Sequence, residues 1–194
     1  MGPALMDALV TTFIAAILAE VGDKTQLLVL ALAIRFRRPL PVLLGVAVAA
    51  FANNLLAAFG GVLVSGLITI RAISLLVAIA LIFAGVAGFL RQKDEGDMGS
   101  TWKTGPFITT AACFFLLEFG DKTQFLTAAL AAQYNAVAFA AAGATAGVIV
   151  ANIPVALLGD RTQAAMPLKP IRYFIAAVFL LAGFLVAVNA LRLT

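Results

Sequence analysis

Glu20-Val21-Gly22-Asp23-Lys24-Thr25-Gln26 and Glu118-Phe119-Gly120-Asp121-Lys122-Thr123-Gln124 are one heptapeptide written twice, differing at a single position, and both sit inside long apolar runs. The run around the first copy extends over about Ala8–Ile34, that around the second over Pro106–Ala132. A spanning helix needs about 20 mostly apolar residues, so each copy falls near the centre of a membrane span. Further runs of spanning length follow at Leu40–Val64, Ile73–Leu90, Ala136–Gly159 and Ile171–Leu191. The sequence therefore predicts an all-α membrane protein with six transmembrane helices.

Composition excludes the other classes. Of 194 residues, 63% are hydrophobic and 11% charged, with a mean hydropathy of +1.10. Soluble domains carry about 25% charged residues. A transmembrane barrel would show short alternating segments, whereas these runs are long and continuous. The first run outlasts a signal peptide and lacks a basic leader, so it reads as a retained helix. Basic residues cluster at helix ends, which marks topology and not nucleic-acid binding. A single cysteine, Cys113, and no histidine leave no soft-metal, haem or iron–sulfur set.

The two copies belong to a repeat. Glu20 and Glu118 are 98 residues apart, and the same offset pairs Thr11 and Thr12 with Thr109 and Thr110, Gly45 with Gly143, Asn54 with Asn152, Gly61 with Gly159 and Gly85 with Gly183. Over residues 20–33 and 118–131, ten of fourteen positions are identical. The polar stretch Arg91–Lys103 divides the chain into a first three-helix repeat, 1–90, a linker, 91–104, and a second repeat, 105–194. Three helices per repeat force the second half to enter the membrane upside down. The charges agree: Arg35, Arg37 and Arg38 have the uncharged counterparts Gln133, Asn135 and Ala136, while Arg161, Lys169 and Arg172 match Leu63, Arg71 and Ser74. The positive-inside rule then places the linker in the cytoplasm and both termini outside. An inverted 3+3 repeat implies a secondary transporter with its site at the midplane between the halves.

Each motif puts charges where one alone costs about 2.5–3.5 kcal/mol on the insertion scale. Glu20 and Asp23, three positions apart, share one helix face, as do Glu118 and Asp121. Thr25, Gln26, Thr123 and Gln124 add neutral oxygens if the helix is irregular, and Gly22 and Gly120 loosen it to free backbone carbonyls. Four carboxylates plus neutral oxygens suit a hard divalent cation, Mn²⁺ or Ca²⁺. With Lys24 and Lys122 counted, the site carries about −2, which one divalent cation or two protons would neutralise; the lysines position and tune the carboxylates. Cation and protons therefore compete for the same oxygens.

Blander readings stand beside these. Glu20–Lys24 and Glu118–Lys122 are i,i+4 pairs that could serve as interhelical glue. That would still leave two carboxylates unpartnered. Asn53, Asn54 and Asn152 offer amide oxygens to the site, Asn54 and Asn152 more so because they match in the repeat, or simply an interhelical hydrogen bond. Gly45, Gly143 and Gly147 read as close-packing positions. Thr11, Thr12, Thr109 and Thr110 line an access path or bond to their own helix. The phenylalanines face lipid or pack, and Asp160–Arg161 reads as an interfacial ion pair.

The doubled Glu-x-Gly-Asp-Lys-Thr motif resembles the family of small membrane cation/proton exchangers whose eukaryotic members are Golgi and chloroplast manganese/calcium transporters, grouped with the LysE exporter superfamily. The resemblance covers essentially the whole chain. It implies antiport of Mn²⁺ or Ca²⁺ out of the cytoplasm against inward protons, with the family's essential acidic residues at Glu20, Asp23, Glu118 and Asp121. It implies no cofactor: metal and protons are cargo. Lacking the N-terminal extension and acidic central loop of eukaryotic members, the chain is expected in a bacterial plasma membrane, with lipid and metal ion as partners and a homo-oligomer compatible. The superfamily suggests an alternative, export of a small organic cation such as a basic amino acid. An intramembrane enzyme is disfavoured by the motif's lysines and glycines, and a channel by its charge-neutralisable site.

Overall fold

A computed structural model of the chain describes residues 2–90, 98–158 and 168–191. Among these, eight helices follow one another: α1 (Pro3–Glu20), α2 (Lys24–Phe36), α3 (Pro39–Ser65), α4 (Ile70–Phe89), α5 (Pro106–Glu118), α6 (Lys122–Tyr134), α7 (Val137–Leu158) and α8 (Leu168–Leu191). Prolines open α1, α3 and α5, where the missing N–H is no loss. Thr69 caps α4, its hydroxyl accepting from the Ala72 amide at 3.2 Å. Four of the helices, and Lys169–Leu191 of α8, are long and apolar enough to cross a membrane; Pro106–Glu118 is a shorter apolar helix. The linker's first residues and the Asp160–Arg161 pair lie outside the described residues.

One expectation needs correction. The first and fourth spans were each expected to be one helix, with Glu and Asp of the motif on one face. Each is instead two helices, broken at 21–23 and at 119–121. Gly22 and Gly120 adopt φ of 73° and 77°, a left-handed backbone that glycine alone enters without penalty and that a right-handed helix cannot contain. Glu20 and Glu118 thus end α1 and α5, while Asp23 and Asp121 stand at the N-caps of α2 and α6. The 13-residue helices α2, α5 and α6 are each about 20 Å long, short of the hydrocarbon core of a bilayer, which is about 30 Å thick.

The heaviest packing runs between the repeats. α1 lies along α7, α5 along α3, and α4 along α8. The first two crossings are copies of each other. A Cβ on Gly143 would come within 2.2 Å of the Leu9 carbonyl, and one on Gly45 within 2.8 Å of the Phe107 carbonyl; Leu9 and Phe107 differ by the same 98 residues as the glycines. These glycines, and Gly147 against the Phe13 carbonyl at 2.6 Å, are close-packing positions as expected. Thr12 bonds to the Ala8 carbonyl of its own helix at 2.7 Å.

Two apolar clusters flank the breaks. One joins α2, α3, α5 and α7 through Leu28, Val46, Phe114 and Val148. The other joins α1, α4, α6 and α8 through Ala19, Val77, Leu126 and Phe179. Large apolar side chains such as Leu44, Phe51, Phe83, Phe174 and Leu181 point outward, the surface a bilayer would cover.

α3 meets α6 more tightly still: a Cβ on Gly61 would lie 2.0 Å from the Ala128 carbonyl, whereas neighbouring Gly60 has open space. Gly61→Ala is expected to destabilise the detergent-solubilised protein by about 1–3 kcal/mol, read as a lowered melting temperature. Gly60→Ala should melt with the wild type; equal melting of the two variants would contradict this packing.

Candidate metal centre

Breaking a helix in a membrane exposes its backbone ends, and the motif supplies the remedy within itself. The Gly22 amide donates to Gln26 Oε1 at 2.9 Å, and the Gly120 amide to Gln124 Oε1 at 2.7 Å. Each glutamine then donates from Nε2 to the other repeat, Gln26 to the Ala151 carbonyl at 2.8 Å and Gln124 to the Asn53 carbonyl at 3.2 Å. Residues 53 and 151 are again 98 apart. So each break is stapled to the long helix of the opposite half.

The charges cross in the same way. Lys24 Nζ lies 3.1 Å from Asp121 Oδ1, and Lys122 pairs with Asp23 while standing 3.5 Å from Asp121 Oδ2. The i,i+4 Glu–Lys pairs considered from sequence do not form among these contacts; each aspartate takes the lysine of the other motif. The two pairs differ in depth. The Lys122 and Asp23 side chains are 6% and 2% exposed, those of Lys24 and Asp121 25% and 16%.

The glutamates differ more. Glu20 is fully buried and accepts from Thr25 at 2.8 Å on one oxygen and from Thr123, across the interface, at 2.9 Å on the other. Glu118 is equally buried, yet neither carboxylate oxygen has a hydrogen-bond partner. Glu20, Asp23 and Asp121 all lie within electrostatic reach of it. Ions held without partners away from water are strongly disfavoured, so Glu118 calls for a cation or a proton.

Around this centre, Asn54 engages both ends of its amide, donating to Thr145 and accepting from Thr127. Asn152 donates to the Val148 carbonyl, and its Oδ1 is buried without a partner, as is Asn53 Oδ1. Repeat-matched Asn54 and Asn152 thus have different surroundings. Thr127, one turn beyond Thr123, was missed from sequence because it follows the motif and its counterpart is Val29. Among the described residues, no three acidic or cysteine side chains converge tightly enough to ligate one ion; the Lys122 ammonium stands between Asp23 and Asp121. A narrow cavity of about 10 Å³ reaches Asp23 and Lys122 from between α1, α4 and α8.

The sequence model of the family described as Divalent cation/proton antiporter GDT1 matches twice, over residues 8–96 and 106–193. The chain belongs to this family. Each match spans one repeat and contains one helix break. A relative from Vibrio cholerae serotype O1, named "Putative manganese exporter", is 38% identical over 185 residues, 94% of this chain and 92% of that protein. No solved structure matches the chain. As a family member with these apolar helices, the chain is a multi-pass membrane transport protein.

Gly120 has no neighbouring atom within reach of an added Cβ, so substituting it tests the backbone alone. Gly120→Ala should lower stability by about 1–2 kcal/mol, with Gly120→Asn milder because asparagine tolerates the left-handed region. Thermal unfolding in detergent checks the ranking, and equal melting of Ala, Asn and Gly forms would remove the left-handed break from the account.

Proposed function

We propose that the chain exchanges a divalent cation, Mn²⁺ or Ca²⁺, for protons, exporting the cation from the cytoplasm of a bacterium. The observation that carries this reading is Glu118, a buried carboxylate with no hydrogen-bond partner, within electrostatic reach of three further carboxylates and Lys122. With Lys24 and Lys122 counted, the four carboxylates together carry an uncompensated charge of about −2. One divalent cation satisfies it, and so do two protons, which is the stoichiometric logic of exchange. Carboxylate oxygens, the Thr25 and Thr123 hydroxyls and the amide oxygens of Asn53 and Asn152 form a hard donor set. The water-sized cavity at the Asp23–Lys122 pair favours a small ion over an organic cation.

The packing supports an inverted repeat. Glu20 meets Thr123 close to the break, while Thr11, farther back on α1, meets the Tyr134 hydroxyl at the far end of α6 at 3.2 Å. α1 and α6 therefore run antiparallel on one side of the breaks, and α2 and α5, packed together, take the other. With the arginine-rich loops inside, α1 and α6 form the outer half. The α4–α8 pair rests on that outer half: α4 packs on α6, and α8 shares a core with α1. This arrangement favours a site open toward the cytoplasm. Alternating access then moves the α4–α8 pair across the breaks, because helices of the two repeats interleave too closely for one whole half to rock against the other.

Proteoliposomes under an imposed pH gradient should drive Mn²⁺ or Ca²⁺ uphill, and Glu20→Gln and Asp121→Asn should each abolish that flux in a folded preparation. Because protons compete, apparent cation affinity should fall as pH falls; affinity indifferent to pH would refute exchange at these carboxylates. Lack of flux for both metals, with lysine or arginine transported instead, would establish the organic-cation reading. Topology has its own check. In a Cys113→Ala background, a cysteine at Ser100 should be protected from impermeant thiol reagent added to intact cells, and one at Ser65 labelled; the reverse pattern would invert the direction of transport.

A further inference from the structure

We propose that the Lys122 ammonium is a tethered stand-in for the transported ion: it occupies the position between the aspartates of the two motifs that the metal must take. The proposal rests on the reading of the paired motifs as the cation site. Lys122 Nζ pairs with Asp23 of the first repeat and lies 3.5 Å from Asp121 of the second. Glu20 is also within electrostatic reach. One cation bridging carboxylates from both halves is the geometry expected of the cargo, achieved here by a side chain.

The repeat makes the point sharper, because Lys24 is the same residue in the same motif and does something else. It touches Asp121 alone, and its side chain is 25% exposed against 6% for Lys122. Only the second-repeat lysine is inserted between the motifs. A divalent ion and an ammonium cannot share that position, because like charges about 4 Å apart repel strongly in a protein interior. Lysine suits the duty: its head is a compact point charge on a flexible stem, so it can withdraw and return. The cavity beside Asp23 and Lys122 lies next to its path. In this arrangement the aspartates are never left unpaired when metal leaves, and the ammonium assists release by competing for the same oxygens.

The test measures Mn²⁺ binding to the purified full chain by titration calorimetry at mildly alkaline pH, alongside flux in proteoliposomes. Lys122→Gln should bind Mn²⁺ about tenfold more tightly, equivalent to about 1.4 kcal/mol, while its maximal flux falls. A lysine that merely holds the site together predicts the opposite sign, weaker binding. Lys122→Arg keeps the charge on a broader head with more donors, so it should weaken Mn²⁺ binding without lowering the melting temperature. Lys24→Gln, at the shallower pair, should tighten Mn²⁺ binding less than Lys122→Gln does. If the wild type binds Mn²⁺ and Lys122→Gln binds equally or more weakly at unchanged melting temperature, the stand-in is overturned and the site reading survives. Should Lys122→Gln fail to fold, Lys122→Arg decides alone, and wild-type affinity there overturns the proposal. Absence of Mn²⁺ and Ca²⁺ binding in the wild type overturns both.

Discussion

A helix that ends inside an apolar bundle leaves backbone donors and acceptors in need of partners, and that constraint organises this molecule. The chain stops twice, after Glu20 and after Glu118. Both breaks are repaired by the same device, a glutamine four residues past the glycine that closes its own turn and then bonds to the opposite half. Once the repair crosses the interface, the long helices α3 and α7 must lie beside the foreign break, and the glycine-lined crossings of α1 with α7 and α5 with α3 follow. Within the motif, glycine makes the break, glutamine fastens it, and the acidic residues, threonines and lysines populate the space that results.

That space is not symmetric, although the sequence producing it nearly is. Glu20 is held by two threonines and Glu118 by no hydrogen-bond partner; Lys122 is deep and Lys24 shallow. Tyr134 finds a partner in Thr11, while its counterpart Phe36 has no hydroxyl to offer. The asymmetry coincides with the lean of the α4–α8 pair toward α1 and α6.

Much of this was legible in the chain itself. Membrane character, the doubled motif and the close-packing glycines follow from composition, spacing and offset, because lipid permits few alternatives. What escaped was the break. Hydropathy is continuous through Gly22 and Gly120, and a glycine in an apolar run is as compatible with a bent helix as with a severed one. The pairing also escaped: Lys24 at i+4 from Glu20 suggests a local bridge, and only the crossing geometry reveals that the aspartates take lysines from the far half. Asn54 and Asn152 looked equivalent because the offset matched them, but Thr127 and Thr145, which engage Asn54, have apolar counterparts in Val29 and Ala47.

The glutamine staples have a consequence for assembly. Neither half contains the carbonyl to which its own glutamine donates, so a half synthesised alone would leave that side-chain amide, and in the first half Asp23, without its partner. The two halves thus resemble an obligate heterodimer whose subunits happen to be fused. Asp23 gains its lysine, and Gln26 its carbonyl, only from residues 122 and 151, nearly a hundred or more positions further along the chain.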